Sequence, residues 1–317
     1  MTRVIDHIKE AKSPIFSFEI LPPLRGNGMD TVLKNIEMLR EYDPKYINIT
    51  THRSEYEFKT TEDDLYKKVV VRKRPGTIAV AAAVKSIFNI SVVPHLLCSG
   101  FSKDETEYAL MDLSYLGIYD LLVLRGDKAK HESGFIPEVD GHSHAMDLQR
   151  QVNNWNKGEL LDGASMKIKQ PFSYAVAGYP EKHEEAPNVA SDLDYLKQKV
   201  DNGAEYIVTQ MFFDNQKYYD FVKQCRETGI NVPIIPGIKP ITLINQMTVL
   251  PKIFSTVLPE ALVADLSQCK TNEAAAQVGV EWCTLQAKDL AANGVPNIHF
   301  YSMMATKSCA TVAKAVF

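Results

Sequence analysis

Along this 317-residue chain, short runs of almost continuously apolar or β-branched positions alternate with longer stretches whose apolar residues recur every three to four positions. The short runs fall at 15–20, 46–50, 90–96, 120–124, 172–177, 206–212, 232–236 and 298–302, and they predict eight strands. Several, such as LLVL at 121–124 and YIVT at 206–209, are apolar on both faces. That pattern suits parallel strands covered by helices on one side and packed inside a barrel on the other. The periodic stretches 30–41, 104–116, 191–202, 216–228 and 272–293 predict helices. Asp30 and Ser191-Asp192 supply start signals, while Gly203 and Gly229 supply stops. Strand and helix alternating about eight times in roughly 300 residues predicts an α/β protein, a (β/α)8 TIM barrel forming a single domain over 1–317.

One motif competes with that architecture. Gly26-Asn27-Gly28-Met29-Asp30-Thr31 follows the first strand and approaches the dinucleotide fingerprint GxGxxG. Thr31 stands where the third glycine would allow close helix–strand packing, and the next strand ends in Thr50-Thr51 rather than an acid. The segment is therefore expected to be a βα loop.

Charge and cysteine content narrow the classes of partner. A formal net charge of -4 gives no general affinity for nucleic acid or anionic membrane, so an anionic ligand must find local basic groups. No run of about 18 apolar residues predicts a membrane span, and the opening MTRVIDHIKEAKSP lacks a signal-peptide core. Five scattered cysteines without a CxxC pair predict reduced thiols in a cytoplasmic protein and no structural zinc.

In a TIM barrel the chemistry sits at the C-terminal ends of the strands, so the residues ending each run are the candidates. Glu19, between Phe18 and Ile20 and ahead of two prolines, is set among apolar neighbours that disfavour its ionised form. It could equally be a rim carboxylate in an ion pair. Arg125-Gly126-Asp127 offers a cation, an uncluttered backbone and an anion at the end of the fourth strand, or an ordinary βα turn. His95 and His183 could ligate a metal with Asp127 and Glu19, or hydrogen-bond a phosphate or ribose; His142-Ser143-His144 lies in a loop, and no metal site is expected. Gln210 has the donor and acceptor to read a heterocycle's edge, or is a satisfied core amide. Phe212-Phe213 and Met303-Met304 are expected in the core.

Taken together, these strand ends resemble the methylenetetrahydrofolate reductase family in its short prokaryotic form. The resemblance is carried by FSFEILPP (16–23), PHLLC (94–98), LRGD (124–127), YPEKHEEA (179–186), LKQKVDNGAEYIVTQMFFD (196–214), IIPGIKP (234–240) and HFYS (299–302). It implies a cytoplasmic, homo-oligomeric barrel without the C-terminal regulatory domain of the longer eukaryotic type. That barrel would bind FAD at its C-terminal face and work by a ping-pong cycle. NADH or NADPH would reduce the flavin, and 5,10-methylenetetrahydrofolate would then accept the hydride, giving the 5-methyl form that feeds methionine synthesis. Carried over residue by residue, the family's acid falls on Glu19, its flavin-side aspartate on Asp127 and its pterin-reading glutamine on Gln210, with Gln246 a further substrate contact. FAD contacts fall on Thr50, His95, Arg125, Gly126, Asp127, Ala145, Tyr179, His183, Ala186, Asp192 and Lys199.

The chain also departs from the family's pattern. Leu250 lies near the place of an aromatic after the seventh strand, with Phe254 the nearest aromatic. Ala305 stands near the place of an arginine after the eighth, with Lys307 the closest cation, and the segment from Lys128 to His144 is longer than usual. On the residues alone, a flavin barrel of the proline dehydrogenase type, a metal-dependent aldolase or hydrolase and a folate-binding carrier remain alternatives.

Overall fold

The computed structural model describes residues 2–128, 132, 134–303 and 305–317. Its centre is a parallel sheet of strands β1 (Ile15–Ile20), β2 (Tyr46–Ile49), β5 (Ser91–Leu97), β6 (Asp120–Leu124), β7 (Ser173–Gly178), β8 (Tyr206–Thr209), β9 (Ile234–Ile235), β10 (Gly237–Ile238) and β11 (Asn297–Tyr301). The sheet runs β10-β11-β1-β2-β5-β6-β7-β8-β9. Pro236, which has no N–H to donate, divides the seventh barrel strand into β9 and β10. Ile234 and Ile235 pair with β8, whereas Gly237 and Ile238 pair with β11. The nine strands therefore occupy the eight positions of a TIM-type barrel, as the sequence predicts.

Two strand boundaries differ in an informative way. The predicted run 206–212 is strand only through Thr209, and 232–236 is reduced to Ile234 and Ile235 before the break. Met211 and Phe213 leave the sheet for an apolar cluster beside the barrel with Ile241, Leu250, Leu262 and Leu266. Apolar character persisted past Thr209 because the chain passes from one buried environment into another.

Alternation along the strands separates the two faces. Phe16, Phe18, Ile47, Ile49, Val92, Leu121, Val123, Val176, Ile207, Ile298 and Phe300 belong to the layer between sheet and helices. Phe16 and Phe300 meet edge-on with ring centroids 5.3 Å apart, a geometry contributing about 0.5–1.5 kcal/mol beyond its buried area. The opposite parity faces the barrel interior. Its lower half is filled by Tyr46, Val93, Leu122, Ala175, Tyr206, Val208 and Ile235, which pack on Val4, Ile5 and Ile8 of helix α1 (Val4–Glu10). That helix closes the N-terminal end, and buried Asp120 at the foot of β6 accepts from the Val4 N–H at 3.0 Å. A packed lower barrel leaves only the C-terminal face for chemistry.

Helices α2 (Asp30–Arg40), α3 (Thr77–Phe88), α4 (Lys103–Tyr115), α5 (Ala145–Lys157), α6 (Val189–Asp201), α7 (Asn215–Glu227), α8 (Gln246–Phe254), α9 (Glu260–Ser267), α10 (Asn272–Ala292) and α11 (Thr306–Val316) follow the strands. The start of α6 is set by Asn188, whose side chain accepts from Ser191 N–H, three residues before the predicted Ser191-Asp192 signal. An antiparallel ribbon, β3 (Glu55–Thr60) with β4 (Tyr66–Val71), is inserted after β2. β3 alternates polar and apolar residues as a strand does, but the ribbon is largely exposed, and the eight predicted barrel strands do not include it. No described helix is long and apolar enough to cross a membrane.

Candidate active site

Inward parity at the tops of the strands brings Glu19 to the middle of the C-terminal face. Its Cα partners are Asn48 on β2 and Tyr301 on β11. Glu19 is 7% exposed, and burial pushes its carboxyl up to about 8 despite the opposing charge of Lys239. Its Oε2 lies 3.5 Å from Nε2 of His95, itself 9% exposed and pushed down to about 3 by burial. Opposite shifts leave both groups predominantly neutral at pH 7. The contact is thus a carboxylic acid facing an imidazole, not an ion pair. Asn48 Nδ2 approaches the same His95 nitrogen at 3.4 Å, while its buried Oδ1 has no partner among the described residues. Thr51 Oγ1 fixes the strand beneath by donating to the His95 carbonyl at 2.5 Å.

Three further side chains hold this floor. The Tyr301 hydroxyl donates to the Thr209 carbonyl at 2.6 Å, crossing over the broken seventh strand. It can do so because position 237 is glycine: an added Cβ would lie 2.5 Å from both Thr209 O and the Tyr301 ring. Lys239, 2% exposed, points its ammonium to the Tyr301 carbonyl at 3.4 Å, and burial lowers its pKa. Ser302 Oγ donates to the Glu19 carbonyl at 2.5 Å.

A second group of predicted residues converges at the ends of β6 and β7. Arg125 forms a two-pronged bridge to Glu185, 2.5 and 2.8 Å, and stacks over Phe135 with its carbon 4.9 Å from the ring centre. The Tyr179 and His183 rings meet edge-on at 4.6 Å, and the His183 N–H donates to Asp192 at 2.9 Å. Buried Ala186 closes the turn by donating its N–H to the His183 carbonyl. Lys199, from α6, acts electrostatically on the same group: burial lowers its pKa, Asp192 opposes, and Arg125 adds to the lowering. His183 is likewise pushed down by burial and then by Arg125. Lys199's amino group has no hydrogen-bond partner among the described residues.

The remaining candidates sort as follows. Thr50 follows β2 beside Ile20, to whose carbonyl it donates its N–H, and Asp127 is exposed at the rim, its carbonyl accepting from Ser99 Oγ at 2.9 Å. Ala145 opens α5. Gln210 follows β8 and is half-buried; its Oε1 accepts from Met211 N–H, and its amide nitrogen has no partner among the described residues. Gln246 opens α8, its Oε1 holding the turn by accepting from Thr242 and Leu243 N–H at 2.8 and 3.1 Å. Leu250 is buried in the side cluster and Phe254 packs against it. His142, 7% exposed, contacts Gln151 at 2.5 Å, and no described group of three metal-binding residues converges. Phe212 and Phe213 are core, as expected; Met303, expected there too, is instead 37% exposed in the turn after β11, and Met304 lies outside the described residues.

Sequence reasoning missed Asn48, Lys239 and Tyr301. Counting inward parity from Tyr46 and His299 would have found Asn48 and Tyr301.

The molecule so described is a (β/α)8-barrel protein carrying, at the centre of its C-terminal face, a buried carboxyl whose pKa burial raises. The family described as Methylenetetrahydrofolate reductase matches residues 3–316, and the chain belongs to that family. It is 31% identical to methylenetetrahydrofolate reductase (NADH) 1 of Arabidopsis thaliana over 319 residues, covering 96% of this chain and 49% of that protein. It is 27% identical to 5,10-methylenetetrahydrofolate reductase of Pectobacterium carotovorum over 288 residues, covering 90% of this chain and 85% of that protein. The chain thus spans about half the length of the plant relative. A solved structure similar in fold is an uncharacterized protein from Clostridium thermocellum that binds two copies of 5-methyl-5,6,7,8-tetrahydrofolic acid, at 15% identity and a TM-score of 0.59, covering 98% of this chain and 97% of that one.

Proposed function

We propose that this protein reduces 5,10-methylenetetrahydrofolate to 5-methyltetrahydrofolate, with NADH or NADPH as electron donor and FAD as the hydride carrier between them. The observation that carries the reading is Glu19: a carboxyl pushed up to about 8 by burial, at the middle of the barrel mouth, in a chain of this family.

The residues present fit a flavin. Gly126 has φ +83°, and an added Cβ would meet Ser99 Cβ at 2.8 Å, so the backbone there is shaped for close approach. Lys199 has no hydrogen-bond partner among the described residues, and His183 and Arg125 lie within its field. These cationic groups would offset the diphosphate, with Glu185 competing for Arg125. Thr50, His95, Ala145, Tyr179, Ala186 and Asp192 would line the remainder. Bound FAD would supply two-electron transfer by taking a hydride from the nicotinamide and passing it to the folate.

Glu19 holds a proton at Oε and delivers it to N10 of the folate, which opens the five-membered ring to the reactive iminium. A neutral His95 beside it neither pairs with nor ionises the acid, so the proton stays available. The free Gln210 amide donates to the pterin edge, and the Gln246 amide nitrogen is the second substrate contact. Asp127 places negative charge beside the flavin. Asp127→Asn is accordingly expected to raise the flavin midpoint potential and slow folate reduction; an unchanged or lowered potential in spectroelectrochemical titration would place Asp127 away from the flavin.

The overall test is anaerobic. The purified, flavin-loaded protein should be bleached by a nicotinamide and recoloured by methylenetetrahydrofolate, with 5-methyltetrahydrofolate as product. A protein that gains no flavin spectrum on adding FAD would defeat the reading.

A further inference from the structure

Lys239 is a buried cation that the proton transfer described above leaves unused. Among the described residues it forms no ion pair and one long hydrogen bond, 3.4 Å to the Tyr301 carbonyl. An ammonium has three protons to donate. A buried charge so thinly answered is costly unless an anion forms beside it.

Strand register shows where that anion can arise. Gly237 and Ile238 stand opposite His299 and Phe300, so one further step sets Lys239 opposite Tyr301, and Tyr301 stands opposite Glu19. Lys239, Tyr301 and Glu19 thus form one row across β10, β11 and β1, at the height of the acid. Two strand spacings are about 10 Å, a gap within the combined reach of a lysine and a glutamate side chain.

The other titratable groups around this row are held neutral. Facing Glu19, His95 from β5 is pushed down to about 3 and the Tyr301 phenol is pushed well up, both by burial. Facing Lys239, burial raises the thiols of Cys309 on α11, to about 12, and of Cys283 on α10. Glu19 is the one acid of this set that can ionise near neutral pH, and Lys239 is the one charge acting on it.

We infer that Lys239 is a positioning residue, its ammonium placed as the counter-charge to the carboxylate that Glu19 becomes on protonating N10. The inference rests on the role given to Glu19 in the proposed function. The Glu19 O–H bond breaks, the N10–H bond forms, and the electron pair stays on the carboxylate while Lys239 keeps its three protons. The attraction grows only as the proton leaves, and interactions of that kind are the ones that speed a step.

The test compares Lys239→Met with Lys239→Gln. A cation lowers the pKa of a neighbouring carboxyl, so losing it should move the alkaline limb of the folate half-reaction upward by about one pH unit, a tenfold change in the ionisation constant of Glu19. The plateau of that half-reaction should fall, because a weaker acid transfers its proton more slowly. Flavin reduction by the nicotinamide, which draws no proton from Glu19, should not change. Both variants should behave alike, although Gln keeps a donor for the Tyr301 carbonyl. Infrared titration of the flavin-free protein reads the same coupling without turnover. The carboxyl band that disappears in Glu19→Gln should titrate near 8 in the wild type and higher in both Lys239 variants. The band reports on Lys239 even in a protein that reduces no folate, so the two readings fail separately. A band midpoint unmoved in Lys239→Met, or returned to the wild-type value in Lys239→Gln, overturns the inference.

Discussion

Glu19→Gln is expected to divide the catalytic cycle, leaving flavin reduction by the nicotinamide intact and slowing flavin reoxidation by the folate by about 10²–10⁴-fold, the usual contribution of a general acid. The first half is a direct hydride transfer that draws no proton from the protein. The second needs N10 protonated before the iminium can form, and Gln keeps the size and polarity of Glu without the proton. Folding should survive, because Glu19 makes no ion pair whose loss would strand a buried charge: its neighbour His95 is neutral. Stopped-flow absorbance follows each half separately.

The same residue sets a pH dependence. With its carboxyl raised to about 8, the active form is the protonated one. The folate half-reaction should therefore be level below that value and fall about tenfold per pH unit above it. Nicotinamide oxidation should not share this limb, and Glu19→Gln should abolish it. Equal slowing of both halves in the variant would mean that Glu19 positions rather than protonates.

The second large effect is expected at the flavin. Gly126→Ala places a side chain on backbone at φ +83° and 2.8 Å from Ser99 Cβ. Left-handed conformation costs a residue with a Cβ about 1–2 kcal/mol, which is roughly 5–30-fold in an equilibrium. The contact with Ser99 adds to this, since Ser99 also holds the Asp127 carbonyl and receives Arg53 at 3.1 Å, so it cannot retreat freely. Fluorescence titration of the flavin-free protein with FAD should show affinity lowered by at least that factor. Wild-type affinity would place the flavin away from the LRGD turn.

The architecture was legible because its cause is local. A parallel strand buried on both faces must be apolar throughout, and a covering helix must carry a stripe, so both periodicities are written in the order of residues. The strands β1 and β6 fall on their predicted bounds. Legibility failed where a local pattern had more than one buried destination. Met211 and Phe213 are as apolar as a strand yet pack beside the barrel, and the β3–β4 ribbon is largely exposed, outside the layers that the barrel pattern predicts.

The candidate site divides in the same way. Sequence order alone put Glu19, Arg125, Gly126, Asp127, Tyr179, His183 and Gln210 at strand ends, because a barrel turns position along the chain into height along its axis. It could not give the charge state of Glu19, which depends on how completely neighbouring strands and loops exclude water. Nor could it find Lys239, whose place beside the Tyr301 carbonyl follows from the break at Pro236, or the Tyr301–Thr209 bond, whose partners are 92 residues apart in sequence. Residue type and spacing determined the fold and which groups reach the mouth; tertiary structure decided which of them are dry, paired or free, because desolvation and long-range contact exist only after the chain has closed on itself.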